Sequence, residues 1–217
     1  MRALIVSGGR IDPDFALSFC KDKKFDAVIG VDSGLGFLYE YGITPTHIVG
    51  DFDSVRPGLE EYYRSREDIE IRRFNPVKDS TDTQIAIELA LELKCGSIVI
   101  LGGTGSRLDH VLGNIQSMML AKTAGADCVM VDEHNRIRLI GEDTVLRRDS
   151  QYGRFVSLIP LTTQAEGVDL TGFKYPLRNH TFTSTGSAGL GVSNEIVEAE
   201  ALIRIKSGVL ILIESLD

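Results

Sequence analysis

SIVILGGTGSRLDHVLGN, residues 97–114, joins a short apolar run to a glycine-rich turn and then to an amphipathic segment. The run Ser97–Leu101 has the length of a strand, and its continuous apolar character is typical of a parallel sheet covered on both faces. After the turn, apolar side chains recur at helical spacing: Leu108, Val111, Leu112, Ile115 and Met119. The stretch therefore predicts a strand whose glycine turn leads directly into a helix.

The same order of strand, turn and helix recurs through the first 140 residues. Apolar runs bounded by Gly or Asp occur in ALIVSGG, DAVIGVD, THIVGD and DCVMVD, with helix-like segments between them. One helix is predicted to begin near Ser80, because Thr81 and Gln84 fit a capping box. Its expected apolar face consists of Ile85, Leu89 and Leu93. The alternation predicts an α/β domain over residues 1–140, with a mostly parallel, Rossmann-like sheet.

The pattern changes after about Arg138. RFVSLIPL, AEGVDLTGF, EIVEAEALIRIK and GVLILIES are short strand-like runs separated by Gly, Pro, Asn and Ser. The runs ALIRIK and VLILIE flank the two-residue link Ser207–Gly208, which predicts a β-hairpin. We therefore expect a small antiparallel β-sandwich or barrel over residues 145–217.

The composition narrows the possible classes of function. The 217 residues are 43% hydrophobic and 25% charged, as in ordinary soluble enzymes. The net charge of −8 and the lack of a Lys/Arg-rich run disfavour a nucleic-acid or anionic-membrane surface. Cys20, Cys95 and Cys128 are odd in number and far apart, so neither a disulfide framework nor a zinc site is expected. Because the apolar segments are too short for a signal peptide or a membrane span, we expect a cytoplasmic protein.

Acidic side chains follow several of the predicted strands. GDFDS, Gly50–Ser54, places Asp51 and Asp53 one residue apart directly after the apolar run HIV. Such carboxylates suit Mg²⁺, which commonly uses one or two of them together with substrate phosphates, while backbone amides of the glycine turn and Arg107 suit phosphate oxygens. Ligands in open α/β sheets bind beyond the carboxyl ends of the strands. Further candidates at such ends are Asp32, Asp79, Asp82, Gly102, Gly103, Gly105 and Asp109.

Each of these features also has a purely structural interpretation. The pair in GDFDS fits a turn or a cap, and DSTD fits a helix start. The glycine turn has neither the Lys-[Ser/Thr] of a P-loop nor a complete G-x-G-x-x-G. It therefore also fits a plain tight turn without a binding role. Arg107 and Asp109 fit a surface ion pair, and His110 fits a solvated or capping residue. The joint placement of the candidates at strand ends favours the functional interpretation, although the sequence identifies no general base.

Five motifs together resemble one known family. VDSGL, GDFDS, KDSTDTQIA, GGTGSRLDHVLGN and GVSNE, in this order, are similar to the motifs of thiamine pyrophosphokinases. The resemblance runs from the first strand to the last strands. It implies transfer of the pyrophosphoryl group of ATP to the hydroxyl of thiamine, which releases AMP. It also implies an N-terminal α/β domain that binds ATP and Mg²⁺, a C-terminal β-sandwich that binds thiamine, and a homodimer with active sites at the subunit interface.

The resemblance also implies roles for individual residues. The Mg²⁺ and phosphate positions fall on Asp51, Asp53, Asp79 and Asp82, and with Arg107 these form the expected catalytic set. The positions that handle ATP fall on Asp32, Thr81, Gly102, Gly103, Thr104, Arg107 and Asp109. The thiamine positions fall on Ser193, Asn194 and Tyr175. Animal members of the family have a tryptophan near the thiamine ring, whereas this chain contains none, and Tyr175 in TGFKYPL occupies the comparable place.

Two other classes of protein fit parts of the sequence. Asp51-Phe52-Asp53-Ser54-Val55 matches the D-x-D-x-[T/V] motif of haloacid-dehalogenase-like phosphatases, in which Asp51 would be a phosphoryl-accepting nucleophile. However, the motif follows the third predicted strand rather than the first, and no obvious later Lys and paired-Asp set follows it. A non-catalytic nucleotide-binding module with a sensory β domain is the second alternative, and it predicts binding of ATP or thiamine without formation of AMP.

Overall fold

The computed structural model describes residues 1–50, 55–72, 80–186 and 189–217, which form two compact units, Met1–Glu133 and His134–Asp217. The strand Asn135–Ile140, which the sequence analysis placed at the end of the α/β domain, belongs to the second unit. Within the described ranges, no helix is long and apolar enough to cross a membrane.

The first unit alternates strands and helices along the chain. Its elements are β1 (Arg2–Val6), α1 (Pro13–Cys20), β2 (Ala27–Val31), α2 (Gly34–Glu40), β3 (His47–Val49), α3 (Leu59–Arg64), β4 (Glu70–Arg72), α4 (Asp82–Glu92), β5 (Ser97–Leu101), α5 (Leu108–Thr123) and β6 (Asp127–Val131). The strands lie in the order β6-β5-β1-β2-β3-β4, and every neighbouring pair is parallel. The predicted α/β class is therefore confirmed.

Burial on both faces explains the continuous apolar runs. In β1, Leu4 and Val6 belong to a core cluster that also contains Val99 and Leu101 of β5, and Ala3 and Ile5 on the alternate positions are 0% exposed. Complete burial of a Val, Leu or Ile side chain contributes about 1.5–3 kcal/mol, so the central strands are a large source of stability.

The strand order places a crevice beside the carboxyl ends of β1 and β5. The chain leaves β1 toward β2 on one side, whereas it leaves β5 toward β6 on the other side. Ligands of open α/β sheets bind where the connections diverge in this way. The loops that follow Val6 and Leu101 therefore lie at the expected position of a binding site.

The apolar face predicted for helix α4 is largely buried, whereas the one predicted for helix α5 is buried only in part. Helix α4 begins at Asp82 with Thr81 as its N-cap, as expected, and Ile85 and Leu89 are buried. Helix α5 follows the glycine turn as predicted, but the apolar face predicted for it is partly wrong, because Leu108 and Leu112 are 72% and 60% exposed. Its buried residues are Asn114, Ile115, Ser117, Met118 and Ala121. The polar members escaped the analysis because each makes a hydrogen bond to a backbone carbonyl, which allows burial.

The second unit is antiparallel. Its strands are β7 (Asn135–Ile140), β8 (Thr144–Arg147), β9 (Phe155–Pro160), β10 (Gln164–Thr171), β11 (Leu177–Thr183), β12 (Asn194–Glu195), β13 (Glu200–Arg204) and β14 (Leu210–Ser215). One sheet has the order β12-β9-β14-β7 and the other has the order β11-β10-β13-β8. Apolar residues of both sheets, such as Leu158, Leu212, Phe182 and Ile203, share one core, which confirms the β-sandwich.

The predicted hairpin at Ser207–Gly208 is wrong. β13 pairs with β8 and β10, whereas β14 pairs with β7 and β9, so the link carries the chain from one sheet to the other. β14 gains pairing along its whole length with two neighbours, which a hairpin with the shorter β13 does not provide. Gly208 has a φ of 88° and packs against β10, where a Cβ atom would lie 2.3 Å from the Gln164 carbonyl oxygen.

Candidate functional site

Two loops of the first unit are hydrogen-bonded to each other beyond the strand ends. The N–H groups of Ser7, Gly9 and Arg10 donate to the carbonyl oxygens of Leu101, Gly102 and Thr104, each at 2.8 Å. The sequence analysis singled out the glycine turn after β5 but missed its partner SGGR after β1. The glycine pair directly after the first apolar run was the signal that could have identified it.

Glycine is required on both sides of this contact. A Cβ atom at Gly9 would lie 2.1 Å from the Thr104 carbonyl oxygen, and one at Gly102 would lie 2.3 Å from the Ser7 carbonyl oxygen. Gly102 also has a φ of 66°, which side chains rarely adopt. The glycines therefore allow a close backbone approach, and the resulting loop pair forms one wall of a cleft.

The start of α4 forms another part of the cleft wall. The Thr81 hydroxyl accepts a hydrogen bond from the Gln84 N–H at 3.2 Å, and Asp82 lies in the first helical turn. The Gln84 side chain donates to Glu88 rather than back to the N-cap, so only the Thr81 half of the predicted capping box is present. The Thr83 hydroxyl lies 2.6 Å from the buried Ser7 hydroxyl, which ties the helix start to the end of β1.

Asp32 adds a second carboxylate to the cleft. It follows β2 with a φ of 48°, a conformation that is uncommon for any residue except glycine and is worth examining as a functional signal. A Cβ atom at Gly50 would lie 3.0 Å from Asp32 Oδ1, so the end of β3 approaches this carboxylate closely. The structure therefore brings Asp32 to the glycine that precedes the GDFDS acidic pair in the sequence.

The cleft between these elements has a volume of about 540 Å³, which is within the usual range for ligand pockets. It brings together eight residues predicted from the sequence: Asp32, Thr81, Asp82, Gly102, Gly103, Thr104, Gly105 and Arg107. It also contains residues that the sequence analysis did not place in the site: Ser7, Gly8, Gly9, Arg10, Ser33, Thr83, Ser106, His110, Val111 and Asn114. The buried Asn114 amide donates to the Gly103 carbonyl oxygen at 2.8 Å and thereby holds the glycine turn on α5.

Arg107 and Asp109 form an exposed ion pair at the mouth of the cleft. Arg107 Nη2 donates to Asp109 Oδ2 at 2.7 Å, and the side chains are 70% and 66% exposed. The hydrogen bond lowers the pKa of Asp109 and raises that of Arg107. Arg107 lines the cleft, whereas Asp109 is connected to it through this ion pair, and the assignment of Asp109 to ATP stays a prediction.

The predicted Mg²⁺ ligands are only partly described. Asp51, Asp53 and Asp79 lie outside the described residues. Among the described residues, no group of three or more His, Cys, Asp and Glu side chains is placed to hold a metal ion. Asp32 and Asp82 nevertheless supply two carboxylates to one cleft, which fits Mg²⁺ because this ion usually takes one or two protein carboxylates and completes its shell with phosphates and water.

The three predicted thiamine residues belong to the second unit, where Asn194 and Tyr175 are hydrogen-bonded to each other and Ser193 is bonded to Ser157. The Asn194 side chain accepts from the Tyr175 N–H at 3.0 Å and donates to the Tyr175 carbonyl oxygen at 2.9 Å. Asn194 is buried, and its Oδ1 also accepts from the Glu195 N–H. The Tyr175 ring is 59% exposed, while Ser193 has a φ of 57° and donates its N–H to the Ser157 hydroxyl.

The Asn194 side chain holds the backbone of Tyr175 in place. Both polar atoms of its side chain already bind the backbone, so a direct contact with a ligand would require breaking these bonds. The exposed ring of Tyr175 and the exposed Ser193 are free to face a ligand. The assignment of these three residues to thiamine stays a prediction, and the motif does not distinguish a side chain bonded to the backbone from one that faces solvent.

Comparisons with known proteins agree on one family. Residues 21–130 match the family model for the thiamin pyrophosphokinase catalytic domain, and residues 143–210 match the model for the thiamin pyrophosphokinase vitamin B1 binding domain. The chain is 36% identical over 193 residues to the thiamine pyrophosphokinase of Bacillus subtilis, with 87% of each chain covered.

Solved structures show the same similarity. A crystal structure of thiamine pyrophosphokinase from Bacillus subtilis has a TM-score of 0.88 and 32% identity, with 100% of both chains covered. A thiamin pyrophosphokinase structure from Geobacillus thermodenitrificans has a TM-score of 0.84 and 31% identity, with 100% of this chain and 98% of that chain covered.

Proposed function

This chain belongs to the thiamine pyrophosphokinase family and is a diphosphotransferase, and we propose that it transfers the pyrophosphoryl group of ATP to the hydroxyl of thiamine. The resemblance carried by the five sequence motifs is thereby confirmed. The products are thiamine diphosphate and AMP. The observation that carries the proposal is the ordered match of both family models, one on each part of the chain.

In the proposed reaction, the thiamine hydroxyl oxygen attacks the β-phosphorus of ATP. The new O–Pβ bond forms as the bond between Pβ and the α,β-bridging oxygen breaks, and the hydroxyl proton is lost to solvent or to a base. Catalysis of such a transfer depends chiefly on positioning and on stabilisation of the charge on the transferred group. The cleft of the first unit has the chemistry for both tasks.

Phosphate oxygens are proposed to lie against the glycine turn and Arg107. Backbone amides of a glycine-rich turn and a guanidinium are suitable donors to phosphate, and the Arg107 side chain lines the cleft while it pairs with Asp109. Arg10, which also lines the cleft, is paired with Glu133 at 2.9 Å. We assign to Arg107 the stabilisation of charge on the transferred group or on the departing AMP.

Mg²⁺ is proposed to bind the carboxylates of the cleft. Asp82 and Asp32 are the described members of this set, and the proposal extends it to Asp51, Asp53 and Asp79 through the family resemblance. When bound, the ion supplies positive charge that offsets the negative charge of the polyphosphate. The protein carboxylates orient and hold the ion at the strand ends.

The second unit is proposed to bind thiamine. Tyr175 offers an exposed aromatic ring for stacking, Ser193 offers a hydroxyl, and Asn194 fixes the Tyr175 backbone. We further propose a homodimer with its active sites at the subunit interface, as the resemblance implies, and a cytoplasmic location. The free thiols Cys20, Cys95 and Cys128 support that location, because a reducing compartment keeps cysteines unpaired.

The direct test is incubation of the purified chain with ATP, Mg²⁺ and thiamine, followed by chromatography of the products. We expect AMP and thiamine diphosphate in equal amounts. Binding of ATP without AMP formation would instead support the nucleotide-binding module. A trapped phospho-aspartate at Asp51 would support the phosphatase alternative, which the family comparisons do not favour.

The dimer proposal has a separate test. Light scattering in solution measures the assembly, and mixing two inactive variants tests where the site lies. Asp82→Asn removes a cleft carboxylate and Tyr175→Ala removes the proposed stacking ring. If each active site uses residues of both subunits, exchange of subunits between the two variants restores part of the activity. If each site lies within one chain, the mixture stays inactive.

A further inference from the structure

The second unit contains a pocket that the proposed reaction does not use. It has a volume of about 490 Å³ and is lined chiefly by polar residues of β7, β8 and the segment that follows β8. Three guanidinium groups, those of Arg136, Arg138 and Arg147, line it together with the carboxylates of Glu200 and Glu214. None of these residues belongs to the candidate site.

The buried carboxylate of Glu214 receives its two shortest hydrogen bonds from one arginine, Arg136. Glu214 is 0% exposed and accepts from Arg136 Nε at 2.7 Å and from Arg136 Nη2 at 2.6 Å. It also accepts from the Tyr152 N–H at 3.1 Å. This bidentate pair is the strong geometry for Arg and a carboxylate, so the charge of Glu214 is matched by Arg136.

Arg138 is therefore the excess cation. Its Nη2 reaches Glu214 only at 3.4 Å, and its Nε is buried without a hydrogen-bond partner among the described residues. An unpaired buried donor on a charged group carries a desolvation cost that an anionic acceptor would remove. The pocket thus contains a guanidinium that shares the Glu214 carboxylate with Arg136, and whose Nε has no acceptor among the described residues.

Gln151 supplies the complementary group. Its Oε1 is buried and has no hydrogen-bond partner among the described residues, although it lines the same pocket. At the rim, Arg147 pairs with Glu200 at 3.1 Å, with side chains 68% and 59% exposed. Such an exposed pair contributes little stability, so Arg147 can turn to a ligand at small cost.

We propose that this pocket binds a small anion through a phosphate group, separately from the cleft of the first unit. A phosphate oxygen accepts from Arg138 and Arg147, while a P–OH group, or a hydroxyl of the same ligand, donates to Gln151. Inorganic phosphate and small phosphate monoesters share this chemistry. A simple halide has no donor for Gln151 and does not satisfy the site.

Hydrogen–deuterium exchange of the full chain tests the proposal by location. Inorganic phosphate is added at constant ionic strength with chloride as the balancing salt. In the unmodified chain, we expect phosphate to slow exchange in Thr144–Arg147 and in residues 150–152. Arg138→Gln is expected to raise the apparent Kd for phosphate at this site at least about tenfold, which is the scale of one charge-assisted contact. Arg147→Gln provides a second, exposed substitution if the first impairs folding.

Arg178→Gln is the matched control, because it removes the same charge from an exposed position of the same unit outside the pocket. It is expected to leave the phosphate response unchanged. Glycerol 2-phosphate distinguishes the sources: a stronger response to it assigns the pocket to a phosphorylated metabolite, and a stronger response to inorganic phosphate assigns it to free phosphate. The proposal is overturned if phosphate gives no protection in these segments, if chloride alone gives the same protection, or if Arg138→Gln and Arg147→Gln both respond as the unmodified chain does.

Discussion

Asp82 is the described acidic residue whose position most directly connects local structure with chemistry. It occupies the first turn of α4, where a carboxylate is favoured by the helix dipole, and it lines the cleft. The same carboxylate thus has a structural interaction, worth about 0.3–1 kcal/mol, and a proposed role in binding Mg²⁺. These two contributions can be separated by experiment.

Replacement of Asp82 by Asn is expected to lower kcat on the order of 10²-fold, the scale found when one group that stabilises the transition state is removed. Unfolding in urea should show a loss of no more than about 1 kcal/mol. Asp14→Asn is the control, since Asp14 lies in the first turn of α1 and does not line the cleft. Equal activity of both variants would remove Asp82 from the catalytic set.

Asn194 gives a second prediction for a single residue. Asn194→Ala removes the hydrogen bonds to the part-buried Tyr175 backbone, at a cost of about 0.5–1.5 kcal/mol for each bond in the free energy of unfolding. Because Tyr175 loses its fixed position, the KM for thiamine is expected to rise more than the KM for ATP. Urea titration and initial-rate kinetics measure the two effects.

The Asp variant refines this test. Asn194→Asp keeps the acceptor for the Tyr175 N–H but loses the donor to the Tyr175 carbonyl oxygen, so an intermediate loss is expected. A variant with alanine at this position that folds as well as the unmodified chain and binds thiamine normally would contradict the positioning role.

At the scale of elements, the loop pair after β1 and β5 determines the shape of the cleft. Gly102→Ala would place a Cβ atom 2.3 Å from the Ser7 carbonyl oxygen at a residue with a φ of 66°. We expect a loss of stability of more than about 1–2 kcal/mol, together with weaker binding of ATP, because the two loops must separate. Thermal unfolding and the KM for ATP report these changes.

A matched substitution nearby should have the opposite effect. Gly113 lies within α5, and a Cβ atom there would meet nothing within 4 Å. Gly113→Ala is therefore expected to stabilise the chain by about 0.5–1 kcal/mol, since alanine loses less conformational entropy in a helix. If both alanine variants change stability in the same direction, the close loop approach is not what requires Gly102.

Sequence patterns identified the helices and strands better than they identified which strands and loops pair with each other. The strand-turn-helix unit of residues 97–114 was predicted correctly because burial on both faces leaves a continuous apolar run. The link Ser207–Gly208 was misassigned because a hairpin signal depends on two residues, whereas β14 finds its partners in distant strands. The glycine pair of SGGR marks a loop in the sequence, but its pairing with the glycine turn depends on the strand order that brings these loops together.

At the scale of the whole molecule, the fold class and the family followed from ordered motifs that span the chain. Asp32, Thr81, Asp82 and Arg107 were predicted as site residues and share one cleft. The assignments of Asp51, Asp53 and Asp79 to Mg²⁺ stay predictions. Residues such as Ser7 and Asn114 were missed because their contribution is a buried hydrogen bond, which has no signature in the sequence.

Pyrophosphoryl transfer to thiamine is the central claim, and ATP labelled at its β-phosphorus tests it most directly. The chain is incubated with this nucleotide, Mg²⁺ and thiamine, and the label is located after separation of the products. We predict that the label appears in thiamine diphosphate while the AMP formed is unlabelled. Label found only in ADP, pyrophosphate or inorganic phosphate, with thiamine unchanged, would contradict the account.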